Sequence, residues 1–310
     1  MLPLHIVIGS ADELAAHAAA HVGGTVDVER AACLTAACFS MDQSQAETLS
    51  AIAQAMVGLH YVRLVCANVL NDNLHGFAGR QLIVGSFDCD ARHSSSPWPD
   101  TRLINLLDSS PSFLHLAVAD GVPKDEGGCA PLGSSFAERV ETLDLGDRWV
   151  PFFCAAPGLL CGYAPAHMSR LRSLRFYGER MGDVVQSVFG DGADAVAACP
   201  ALVLVHIGLT WSPWHEVDPA EVRAATTLMR AMPASCPTLE IELCPGGDVS
   251  ASWPLLETLA SALNLVDVVG FKTMIVDVQS SYVRPESVRE YCAALEQACA
   301  AKGVAVEVRI

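Results

Sequence analysis

Runs of apolar residues of strand length recur along the whole chain with helix-forming stretches between them, and this alternation limits the possible folds more tightly than any other feature. It is the pattern of a mostly parallel sheet whose strands are joined by helical crossovers. The strands read as LHIVIG (4–9), VRLVCA (62–67), QLIVGSF (81–87), FLHLAVA (113–119), WVPFFCA (149–155), ALVLVHIGL (201–209), TLEIEL (238–243), VDVVGF (266–271) and VAVEVRI (304–310). Their continuous apolarity predicts cover on both faces. Helices are expected at 43–58, 180–189, 219–231, 252–263 and 286–301. Asp218 before Pro219, with Glu221 in the first turn, marks one helix start, and Lys302-Gly303 marks a helix end. The expected fold class is α/β: a three-layer, mostly parallel, doubly wound sheet forming a single domain over 1–310. No internal repeat, coiled-coil heptad or low-complexity tail is evident.

With 310 residues, 51% of them hydrophobic, the chain can bury a large core. Lys and Arg number 19 against 35 Asp and Glu, a formal charge of −16, and no segment gathers the basic residues into a stripe. Nucleic acid and anionic membrane are therefore excluded as partners. The 12 cysteines contain no Cys-x-x-Cys pair and read as reduced core thiols of a cytosolic protein. The opening MLPLHIVIGSADELAAH has no basic region before its short apolar run, so it reads as a first strand and not a signal peptide. No run reaches the roughly 18 to 20 apolar residues of a membrane span, and a cytoplasmic location is expected.

The stretch LIVGSFDCDARHSSSP (82–97) takes a buried-type strand into Asp88, Asp90, Arg92 and His93. Carboxylates and an imidazole at a strand's carboxyl end are placed where open α/β sheets hold metals or substrates. Loops rich in Gly, Pro and Ser at 93–100, 121–135, 155–166, 211–218 and 244–253 mostly follow strands, which gathers them at one sheet edge. His206 lies inside an apolar strand that ends in Thr210 and Trp211. Each has a plainer reading: an Asp–Arg92 ion pair, a satisfied core histidine, an aromatic cap on the hydrophobic layer. A Gly-x-Ser-x-Gly elbow, a phosphate loop and a dinucleotide fingerprint are all missing from the sequence.

The order of FDCDARHSSSP, the helix ERMGDVVQSVF (179–189), the strand LVLVHIGLTW (202–211), the turn CPGG (244–247) and the strand VDVVGFKTMIVD (266–277) resembles the ureohydrolases, the arginase, agmatinase and formimidoylglutamase family. The resemblance implies an arginase-like fold and a bridged Mn pair that generates hydroxide. Asp88 matches the family's first metal aspartate, but Asp90 stands where a histidine belongs and Arg92 where a second aspartate belongs. Val69, Gly208 and Thr210 occupy further ligand positions. The resemblance thus implies a homologue without metal, cofactor or catalysis, its vestigial pocket formed by Asp88, Asp90, Arg92, His93, His206, Thr210 and Trp211. Such a protein would act as a structural, regulatory or ligand-binding homo-oligomer, a trimer by family habit, with a possible protein partner. The alternatives are an active Mn-dependent hydrolase of C–N bonds with rearranged ligands, and an unrelated α/β enzyme.

Overall fold

The computed structural model describes residues 4–22, 28–37, 41–65, 77, 80–90, 112–119, 139–145, 169–178, 180–182, 185, 199–210, 218–244, 253–267, 269–278 and 285–309. The strands are β1 (Leu4–Ile8), β2 (Ala31–Ala37), β3 (Tyr61–Val65), β4 (Ile83–Asp90), β5 (Ser112–Ala119), β6 (Val140–Leu145), β7 (Ser173–Gly178), β8 (Leu204–Thr210), β9 (Thr238–Cys244), β10 (Thr273–Val278) and β11 (Ala305–Arg309). The helices are α1 (Ala11–Val22), α2 (Gln43–Ala55), α3 (Pro219–Ala231), α4 (Trp253–Leu265) and α5 (Pro285–Ala301). The expected strand at 149–155, most of the helix at 180–189 and nearly all of the five loops lie outside the described residues.

The strands form one 11-stranded sheet in the order β1 through β11, with each strand parallel to the one before it. The expected parallel α/β class holds, but the doubly wound arrangement does not. A doubly wound sheet grows in both directions from a switch point, so its strand order reverses. Here every strand is laid beside its predecessor.

The third layer is also missing among the described residues. Burial alternates along β3, β7 and β10, so one face of each strand is buried and the other is partly or fully exposed. The buried faces join Leu14 of α1, Leu49 and Ile52 of α2, Leu228 of α3, Leu259 and Leu263 of α4 and Leu295 of α5 in a single core cluster. The described helices therefore cover one side of the sheet, and the described residues form two layers where three were expected.

The buried faces reveal a repeat that the bare sequence conceals. The pattern apolar-x-x-apolar-x-apolar occurs at each strand from β2 to β10, centred on Leu34, Val62, Phe87, Leu116, Leu143, Leu174, Val205, Leu239 and Met274, at intervals of 25 to 35 residues. Leu34, Val62, Leu143, Leu174, Val205, Leu239 and Met274 are at most 2% exposed. No single unit of this kind can bury its own apolar face, and stacking neighbours makes the core continuous. Elements in substantial contact are accordingly neighbours along the chain or in the strand stack.

Local chemistry fixes the units. Asp42 and Gln45 form a capping box on α2: Gln45 N–H donates to Asp42 Oδ1 at 2.8 Å, and Asp42 N–H donates to Gln45 Oε1 at 2.9 Å. Asp218 Oδ1 accepts from Ala220 N–H at 2.8 Å ahead of Pro219, so α3 begins and ends at the expected residues. Gly303, at φ 67°, takes the left-handed turn after α5 that the Lys302-Gly303 pair predicts. Lys302 Nζ donates to Val266 O, and Arg230 Nη2 donates to Leu265 O at 2.9 Å, which ties the end of α4 to both flanking units. Glu221, 4% exposed, accepts from Gly182 N–H at 3.3 and 3.4 Å and links α3 to the preceding unit.

Of the cysteines among the described residues, Cys199, Cys236, Cys292 and Cys299 are free and buried, as expected of core thiols. Desolvation pushes the Cys199 thiol up to about 12 and the Cys299 thiol up to about 11. No helix among the described residues is long and apolar enough to cross a membrane.

Candidate interaction surface on the open face of the sheet

Because side chains alternate across a strand, the residues between the buried positions rise from the uncovered face. Parallel register lines them up in rows across the strands. One row runs Asp144, Arg175, His206, Glu240, Ile275 and Glu307, from β6 to β11. The next runs Tyr177, Gly208, Glu242, Asp277 and Arg309, from β7 to β11.

Several cross-strand neighbours in these rows have opposite or complementary character, whereas Glu242 and Asp277 are like charges in direct register. Arg175 Nη1 lies 4.0 Å from Asp144 Oδ2. His206 is wedged between two carboxylates, with Nδ1 3.3 Å from Glu240 Oε2 and Nε2 3.1 Å from Glu242 Oε2. The second approach is close but not aligned as a hydrogen bond, and Nε2 is a buried nitrogen without a hydrogen-bond partner. Arg309 reaches from the outermost strand to Glu240 Oε1 at 3.3 Å and to Glu307 Oε1 at 2.9 Å. The hydrogen bond to Glu307, and then the charges of Glu307, Glu240 and Asp277, raise the guanidinium pKa above its ordinary value.

Among the described residues three open-face positions are buried, and they sit together: His206, Gly208 and Glu242. Tyr177 explains much of this. Its ring lies against Gly208, where an added Cβ would collide with Cδ1, Cε1 and Cγ. Its hydroxyl donates to Glu242 Oε2 at 3.4 Å, and its ring centre is 5.4 Å from that of His206. The glycine at 208 is thus the recess that lets an aromatic ring lie flat on the sheet. Tyr61 of β3, paired with Ile83, reaches Gly85 of β4 with the hydroxyl end of its ring instead.

Of the expected vestigial pocket, the four described residues stand in two separate strands. Asp88 and Asp90 hold register positions opposite Ala117 and Ala119, in β4. His206 and Thr210 are in β8, where Thr210 pairs with Cys244. Four strand spacings separate β4 from β8, which at about 4.8 Å each puts the two groups about 19 Å apart. Arg92, His93 and Trp211 lie outside the described residues. Among the described residues, no group of three or more His, Cys, Asp or Glu side chains is arranged to hold a metal ion.

Glu240, Glu242, Tyr177, Arg175 and Arg309 are absent from the expected set. TLEIEL carries the two glutamates at a spacing of two, which places both on one strand face beside a core made by Leu239 and Ile241. That alternation was the available signal. No family model, no curated protein and no solved structure matches the chain.

Proposed function

We propose that the chain is a β/α solenoid of the leucine-rich-repeat type and that it binds a protein partner of basic surface charge across the open face of β6 to β11. The observation that supports this best is the sequential parallel sheet with one face left uncovered by the described residues. Such stacks turn a row of strands into an extended binding surface whose side chains are free of core duty. The repeat departs from the usual consensus three residues past its last apolar position, where an Asn or Cys is found only as Cys244.

Charge selects the partner class. The two rows carry Asp144, Glu240, Glu242, Asp277 and Glu307 against Arg175 and Arg309, on a chain of formal charge −16. A basic protein surface is attracted to such a face, whereas a nucleic acid backbone is repelled.

The ureohydrolase reading groups Asp88 and Asp90 with His206 in a vestigial pocket, and their positions in β4 and β8, four strand spacings apart, favour the scaffold reading over it. The homo-oligomer implied by that resemblance rests on it alone. Stoichiometric Mn in the purified protein, with urea release abolished by Asp88→Ala, would restore the hydrolase.

Carboxyl footprinting in the presence of a small basic protein such as lysozyme tests the scaffold reading. Protection is expected at Asp144, Glu240, Asp277 and Glu307, with Glu257 and Glu296 on the helical layer labelled as before. Protection confined to the helical layer would overturn it.

A further inference from the structure

We infer that Tyr177, His206, Glu240 and Glu242 form a recognition point for an arginine side chain of the partner, and that Arg309 is a built-in competitor for it. The inference rests on the scaffold reading and names the chemistry at its centre.

The first observation is that the site already holds a guanidinium, that of Arg309. Glu240 divides its two oxygens, Oε2 facing His206 Nδ1 at 3.3 Å and Oε1 facing Arg309 Nη1 at 3.3 Å. The Arg309 side chain is 45% exposed and sits on the outermost strand of the sheet. An ion pair so exposed is held weakly and can be exchanged.

The surroundings of Glu240 are built for something more tightly held. His206 is 7% exposed and Glu242 is 2% exposed, so the point lies in a partly dry recess of an otherwise wet face. The buried Nε2 of His206 points toward Glu242 without a hydrogen-bond partner. The Tyr177 ring, seated over Gly208, supplies an aromatic surface beside Glu242 and the His206 ring.

A guanidinium suits this combination better than an ammonium does. Its planar fork can address a carboxylate with two N–H groups while its face stacks on an aromatic ring. A partner arginine would take Glu240 Oε1 from Arg309, leaving Arg309 on Glu307 at 2.9 Å.

The test uses the whole chain and a fluorescent peptide of six arginines spaced by Gly-Ser, read by anisotropy at about 150 mM salt, where distant charges are screened. The six-lysine counterpart serves as the comparison. Arg309→Ala is expected to tighten arginine-peptide binding several-fold by removing the competitor. Glu240→Gln should weaken it about tenfold, and Glu257→Gln, an equal charge change on the helical layer, should leave it unchanged. The lysine peptide should bind several-fold more weakly than the arginine peptide.

No tightening in Arg309→Ala would overturn the inference, and so would equal effects of Glu240→Gln and Glu257→Gln. Should Glu240→Gln fail to fold, as judged by circular dichroism, Arg309→Ala decides alone. If the peptide protects open-face carboxylates while the Glu240 and Arg309 variants bind like the parent, this inference fails and the scaffold stands. If the open face is not protected at all, the scaffold reading fails with it.

Discussion

Met274 and Ile275 are adjacent in β10 and face opposite sides of the sheet, so truncating each to alanine measures whether the second face is truly bare. Met274 is 0% exposed and is flanked in register by Leu239 and Val306. Removing its buried thioether should cost about 2 to 5 kcal/mol, the transfer loss plus the cavity left against the helical layer. Ile275 lies on the open face between Glu240 and Glu307 and is only half-buried. Its truncation should cost about 1 kcal/mol or less. Long repeat arrays do not always unfold in one step, so the readout is hydrogen exchange of β9 to β11, which reports the local opening free energy. In a three-layer sheet both side chains would be core residues. Equal destabilisation by the two substitutions would refute the two-layer architecture and with it the binding surface.

Gly208→Ala should cost about 1 to 3 kcal/mol, because the new Cβ meets the root of the Tyr177 ring, while Gly85→Ala should cost less, because there the Cβ meets the movable tip of Tyr61; urea melts of the two variants check the order. Glu221→Ala removes a buried acceptor from Gly182 N–H and should destabilise by about 1 to 3 kcal/mol, with faster amide exchange at the start of α3 and around Gly182. Cys199 ionises near 9.0 when unfolded and near 12 when folded, so the stability it contributes is fully present below pH 9 and is lost as pH rises toward 12. Urea titrations at pH 8 and pH 10.5 should show that loss, and Cys199→Ala should reduce it; an unchanged difference would count against burial of the thiol.

The elements with strong local chemistry were legible in the sequence. Asp218-Pro219 fixed the start of α3, Lys302-Gly303 fixed the end of α5, and apolar runs located β1, β3, β4, β5, β8, β9 and β11 within a few residues. Three strands went unread: β2 (AACLTAA), whose apolar residues are mostly small, and β6 (VETLDL) and β7 (SLRFYG), which alternate polar and apolar residues most plainly. The latter two carried the signal for a one-sided sheet. Strands such as β8 hid it, because Leu204 and Gly208 give the open face residues that pass for core. VDVVGF was read as a strand, but Val266 and Phe271 are buried in the connection from α4, and pairing starts at Thr273. The repeat escaped notice because its spacing varies and its apolar positions are filled by Leu, Val, Phe, Met, Cys or Ala in turn. The charged cluster was illegible for a different reason. His206, Glu240 and Arg309 meet only through register across β8, β9, β10 and β11, which no short motif encodes.

The sequential strand order also governs how the molecule bears a mechanical load. Among the described elements, substantial contacts join each unit to the one before and the one after it, so a pull applied along the stack is resisted by one boundary at a time and not by the whole sheet together. Peeling should therefore begin at an end, where β1 or β11 has one partner strand, and advance inward unit by unit. Each release would free about 30 residues, or about 100 Å of chain at full extension. A single-molecule trace would then show a staircase of similar steps, and a ligand spanning β7 to β11 would fuse the last of them into one.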